Sequence, residues 1–143
     1  MYKRSFPAQL ASLHSMLQFI HIFGKQIPIS SDLLNKITLA SEEALVNIIN
    51  YGYPHSDGVV EITCEYFHNS RKGIKIKIQD QGIPFNPLFS PIPQKVPPKN
   101  SLDNLDTMNL GGYGIYIFFR IMDKIEYQRF EEVNVLTLIK YLA

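Results

Sequence analysis

Cysteine is almost missing from this chain of 143 residues: Cys64 is the only one. An internal disulfide is therefore excluded. One thiol and 4 scattered histidines give no zinc-ligand spacing either. Cys64 falls within an alternating strand pattern, which predicts a buried, inert thiol rather than a nucleophile. Charge of one sign is lacking too. With 14 basic and 13 acidic residues the net charge is +1, so no global field draws the chain to nucleic acid or to an anionic membrane. No basic-aromatic pattern suggests nucleic-acid recognition. The longest apolar stretches are about half of what a bilayer span requires. The opening Met1-Tyr2-Lys3-Arg4-Ser5-Phe6 leads into a polar-punctuated helix pattern rather than a signal-peptide core. A cytoplasmic protein is expected. What is present is ordinary for a globular chain: 45% hydrophobic, 19% charged, mean hydropathy -0.04. The length suits one domain with a real core, spanning 1–143.

Tyr2 to Phe6 reads as a short edge strand, and Pro7 fits the first turn of a helix, where its missing N–H is harmless. Leu10, Leu13, Leu17, Ile20 and Phe23 recur at helical spacing, and Gly24 is a helix stop. Ser30, Ser31 and Asp32 start a second helix with Leu34, Ile37, Ala44, Leu45 and Ile48 on one face. It runs out near Gly52 and Pro54. Two alternating stretches, Val59 to Phe67 and Gly73 to Gln79, predict an antiparallel hairpin with one apolar face and one wet face. Six of the 9 prolines fall between Pro84 and Pro98, and a loop at about residues 86–110 is expected as a functional lid. A helix pattern returns with Ile115, Phe118, Phe119 and Met122. Strands around Lys124 to Phe130 and Val133 to Tyr141 close the chain, with Glu131 and Glu132 as their turn. Helices on one face of a mainly antiparallel mixed sheet make this an α+β two-layer domain.

Three motifs carry the chemistry. In Glu43-Ala44-Leu45-Val46-Asn47, residues i and i+4 place a carboxylate above an amide on one helix flank. An amide oxygen suits Mg²⁺, which takes few protein ligands, and the carboxylate is then free to act as a base. In Asp80-Gln81-Gly82-Ile83-Pro84-Phe85 a strand ends on an acid that needs a donor, such as an adenine amine. Gly82 lets the backbone come close to a ligand. In Gly111-Gly112-Tyr113-Gly114-Ile115 glycines open a helix, whose free N–H groups suit phosphate. No Gly-Lys-Ser/Thr follows, and no strand leads straight into it, so it is neither a Walker loop nor a dinucleotide fingerprint.

In this order the motifs resemble the N, G1 and G2 boxes of the GHKL ATPases, the superfamily of gyrase, Hsp90, histidine kinases and MutL. Within it the chain is most similar to the small anti-sigma-factor serine/threonine kinases of bacterial partner-switching systems. Further cues are the closure of the first box on Tyr51-Gly52-Tyr53-Pro54, Pro87 after the second box, and Met122-Asp123 with Tyr127 after the third. The resemblance implies the Bergerat ATP-binding fold, with ATP and Mg²⁺ as cofactors. It implies Glu43 as general base and Asn47 as the Mg²⁺ ligand. Asp80 and Gly82 would form the adenine pocket, and Gly112 and Gly114 would line the phosphates. It also implies transfer of the γ-phosphoryl group to Ser or Thr of a STAS-domain anti-anti-sigma protein, binding of a sigma factor, and a homodimer. The chain departs from the family in three places. Lys95 and Lys99 are the only bases in the lid, the first helix has no arginine, and Tyr51 stands where relatives often have histidine. A nucleotide-gated binding module with little transfer is the alternative. The catalytic half of a histidine kinase fits less well, because His14 and His21 lack a two-helix phosphoacceptor segment.

Overall fold

The computed structural model describes residues 1–53, 57–84 and 120–142. Strand β1 (Tyr2–Pro7) is followed by a tight 3₁₀ turn (Leu10–Ser12), helix α1 (Leu13–Gly24) and helix α2 (Ser31–Asn47). A short π-helical segment (Ile48–Gly52) continues α2. Strands β2 (Val59–His68), β3 (Lys72–Asp80), β4 (Lys124–Phe130) and β5 (Val133–Leu142) complete the order. The expected lid at about 86–110, Lys95 and Lys99, the glycines Gly112 and Gly114, and the helix pattern from Ile115 to Phe119 lie outside the described residues.

The five strands form one sheet in the order β1-β2-β3-β5-β4. Every described pair is antiparallel, so the parallel component of the expected mixed sheet is not found among these strands. Alternation explains the layering. Val60, Ile62 and Cys64 of β2, Ile74, Ile76 and Ile78 of β3, and Leu136 and Leu138 of β5 are buried on one face. They join Met16, Ile20 and Phe23 of α1 and Ile37, Ala40, Ala44 and Leu45 of α2 in one core. Each fully buried Ile or Leu contributes about 1.5–3 kcal/mol relative to exposure. The opposite face alternates to Glu61, Glu65, Lys75, Lys77 and Gln79, all partly exposed. The result is an α+β two-layer fold with both described α-helices on one side of the sheet.

Local signals account for the element ends. The Ser30 side chain accepts a hydrogen bond from the Leu33 amide at 3.1 Å and caps α2. Gly24 ends α1, but its role is close packing: a Cβ there would lie 2.2 Å from a Leu34 methyl. Two expectations for the first helix are corrected. Pro7 is the last residue of β1, opposite Val59, where an edge strand tolerates a missing donor. Leu10 lies in the 3₁₀ turn and is 54% exposed, whereas Met16 is fully buried. The segment carries two apolar stripes, and packing against α2 selects the one through Met16, Ile20 and Phe23. Among the described residues no helix is long and apolar enough to cross a membrane.

Candidate nucleotide site

Glu43 and Asn47 occupy the last two turns of α2, both half-buried, on the flank beside the core stripe of Ala40, Ala44 and Leu45. Burial, and next to it the charge of Glu42, pushes the Glu43 carboxyl above the ordinary value of 4.5. A carboxyl so placed takes up a proton more readily than an exposed one, which suits a base near an acceptor hydroxyl. Among the described residues, the Asn47 side chain makes no capping hydrogen bond at the start of the π segment.

The π segment carries the chain from Asn47 to the end of β3. The Ile83 amide donates to the Gly52 carbonyl at 3.0 Å. Gly82 packs against the same carbonyl, and a Cβ on Gly82 would lie 2.5 Å from that oxygen and 2.9 Å from its carbon. Backbone meets backbone here, so only glycine fits. Wide π turns of this kind are frequent at functional sites. By helix geometry Asn47 stands roughly 7 Å along the axis from Gly52. The structure therefore brings the Glu43–Asn47 flank and the Asp80–Gly82 turn to the same end of the molecule.

Asp80 is 5% exposed. Burial pushes its carboxyl above the ordinary value of 3.8, while Asn134, the Gly82 amide and the Arg129 charge pull the other way. Its Oδ1 accepts from the Gly82 amide and from Asn134 Nδ2, both at 2.9 Å. No hydrogen bond falls on Oδ2 among the described residues, and none of their buried side-chain N or O atoms lacks a partner. Oδ2 is thus the Asp80 oxygen without a donor among the described residues. A carboxylate oxygen without a donor can accept from an amine.

Three residues of this environment were not among the sequence candidates. Asn134 lies directly opposite Asp80 in the β3–β5 register, and Arg129 lies opposite Asn134. A signal for Asn134 exists: it shares the inward phase of Leu136 and Leu138, and an amide in that phase is buried. Tyr53 is a third. Its hydroxyl accepts from the Gln81 amide at 2.7 Å and donates to the Val59 carbonyl at 3.3 Å, tying the turn after β3 to the start of β2. Burial is the main reason its hydroxyl is raised above 10.0.

A groove of about 430 Å³ opens on the wet face of the sheet, walled by Tyr53, Glu61, Gln79, Gln81 and Val133. It reaches Asp80 but neither Glu43 nor Asn47. The candidate site is therefore defined by its donors and acceptors rather than by this hollow. Mg²⁺ fits the residues present. Among the described residues no group of three or more His, Cys, Asp or Glu forms a self-sufficient metal site, and Mg²⁺ held with a nucleotide needs only one or two protein oxygens. Asn47 offers one.

This chain belongs to the histidine kinase-like ATPase domain family, whose match extends over residues 6–140. The five-stranded antiparallel sheet with helices on one face is the GHKL ATPase fold, and the family implies the use of ATP. Among its relatives, a serine-protein kinase RsbW of Staphylococcus epidermidis is 27% identical over 115 residues, covering 79% of this chain and 69% of the relative. A serine-protein kinase RsbW of Staphylococcus aureus (strain MSSA476) is 26% identical over 111 residues, covering 78% and 67%. The expected likeness to GHKL serine kinases is borne out by these matches.

Proposed function

We propose that the chain, as a single domain over 1–143, is an ATP-dependent serine/threonine protein kinase and anti-sigma factor. In this reading it phosphorylates a STAS-domain antagonist in a partner-switching pathway, binds a sigma factor, and works as a homodimer in the cytoplasm. The observation that carries the nucleotide reading is Asp80: a buried acid with one oxygen saturated by backbone and amide donors and the other left to accept. The serine-kinase relatives support the choice of reaction.

Each residue has a part. Asp80 Oδ2 accepts from the adenine amine, and Gly82 keeps that approach clear of side chains. Asn47 supplies an oxygen to Mg²⁺, and the ion neutralises phosphate charge when bound. Gly112 and Gly114 line the phosphates. Glu43 takes the proton from the Ser or Thr hydroxyl of the partner, for which its raised proton affinity suits it. Phosphoryl transfer depends mainly on positioning and charge neutralisation, so these few groups suffice.

Transfer of labelled phosphate from ATP to a STAS-domain protein tests the proposal. Glu43→Ala should lower transfer by about 10²–10⁴-fold while ATP still raises the melting temperature. Equal loss of transfer and binding, or no loss of either, rejects Glu43 as the base. ATP binding without transfer in the unaltered chain would favour the nucleotide-gated binding module instead.

A further inference from the structure

The carboxylate of Asp80 does not stand alone. Asn134 Oδ1 accepts from the Tyr127 hydroxyl at 2.6 Å and from Arg129 Nη1 at 2.9 Å. Two donors on one side of the amide fix its orientation, because the NH₂ group must then turn the other way. It does: Nδ2 faces Asp80 Oδ1 at 2.9 Å, with the Ile83 carbonyl at 3.1 Å and the Gly82 carbonyl at 3.3 Å. Arg129 Nη1 also donates to the Gly82 carbonyl at 3.1 Å. The side chains that β4 and β5 turn toward this end of the sheet therefore converge on one carboxylate and the turn beside it. The Asn134 amide is 3% exposed, so a misoriented amide would leave buried groups unpaired.

We propose that Asn134, locked by Arg129 and Tyr127, is a positioning residue that makes the site select 6-amino purines over 6-oxo purines. The inference rests on the reading of Asp80 as the purine acceptor. An amide N–H fixed on Oδ1 holds the carboxylate in one rotamer and keeps Oδ2 as an acceptor. A 6-amino group donates to that oxygen. A 6-oxo group presents a lone pair to it and is rejected. Were Asp80 protonated on Oδ2, the same oxygen would donate, and the 6-oxo base would be accepted. Among the described residues, the charged and titratable groups facing Asp80 are Arg129 from β4 and Tyr53 from the segment before β2. Burial already favours the protonated form. The amide donor and the guanidinium oppose it.

The test is calorimetric titration of the full chain with Mg-ATP and with Mg-ITP, which differ at position 6 of the base, at about pH 6 and about pH 8. The unaltered chain should prefer ATP by at least about a hundredfold at both pH values. Asn134→Leu should shrink that ratio by about tenfold, and more at the lower pH, where a carboxyl deprived of its donor protonates. Arg129 is only half-buried, so Arg129→Gln provides a second variant if Asn134→Leu fails to fold. It should shift the ratio in the same direction, and Arg129→Lys should keep most of the preference. Overturning results are an unchanged ratio in Arg129→Gln and in any folded Asn134→Leu, or ATP and ITP affinities that fall by one common factor. Asp80→Asn separates the two layers of the inference. It replaces the acceptor with a donor and should erase the preference. If it does not, the purine reading of Asp80 fails. If it does while the other variants leave the ratio intact, only the role of Asn134 and Arg129 is lost.

Discussion

The two ends of the β3–β5 pair are built on opposite principles. At the Lys72 end, Tyr141 takes the guanidinium of Arg71 over its ring at 3.7 Å and the edge of Phe67 at 6.2 Å. Phe67 in turn covers Gly73, where a Cβ would lie 2.2 Å from the ring. These contacts are near the surface and tolerate adjustment. At the Asp80 end, a buried acid and a buried amide meet a half-buried guanidinium, and each hydrogen bond depends on the next. The comparison teaches where stability and function part. The first end is packing that any adequate side chain can supply, whereas the second is a chain of directional hydrogen bonds that, in the proposed reading, holds one oxygen in one place.

Substitutions can break this contrast, beginning with the most damaging. Asn134→Leu removes a buried donor from the Asp80 carboxyl and should lower unfolding free energy by about 1–3 kcal/mol, read from urea denaturation. Gly82→Ala forces a methyl against the Gly52 backbone and should lower it by about 1–3 kcal/mol. The turn between β4 and β5 offers a gain instead. Glu131 and Glu132 hold φ of 49° and 69°, the pair of positive values that a two-residue hairpin turn requires and that Asn-Gly adopts more easily. Replacing them with Asn and Gly should raise stability by about 0.5–1 kcal/mol, again by denaturant titration. Asp80→Asn sharpens the contrast through pH. The folded-state affinity of Asp80 for a proton exceeds that of the unfolded chain, whose reference is 3.8. Its contribution therefore weakens the fold as pH rises through the raised value. At neutral pH the Asn variant should melt higher than the parent, and the gap should close in acid below 3.8, as thermal melts across pH will show. At the opposite end, Arg71→Ala should lower stability by only about 0.5–1 kcal/mol.

Much of the fold was legible because alternation and burial agree. Ile74, Ile76 and Ile78 announce β3, and each is fully buried. The polar turn Glu131-Glu132 lies between two alternating runs, and it is the tip of the last hairpin. The first helix was less legible, since Leu10 and Leu17 keep helical spacing as well as Met16 does, and only packing on α2 decides between them. For the proposed site, Asp80 and Gly82 were named from their turn. Glu43 and Asn47 were named from a spacing of one helical turn. Asn134 and Arg129 could not be read as its companions, because their meaning depends on register. They flank the acid only when β5 lies between β3 and β4 with Asp80 opposite Asn134. One step of slippage would turn the amide to the wet face. Tyr53 was quoted within a motif, but its link to Gln81 spans 28 positions, beyond what local pattern reveals.

The obstruction at Gly82 also sets which genetic suppressors can exist. At Gly24 an added methyl would strike the Leu34 side chain, so trimming Leu34 to alanine makes room for it. At Gly82 the obstacle is the peptide group of Gly52 itself, which no exchange of side chains removes. Revertants of a Gly82 variant should therefore arise by true reversion or by changes that shift the whole end of α2. A Gly24 variant, by contrast, can be relieved by its neighbour.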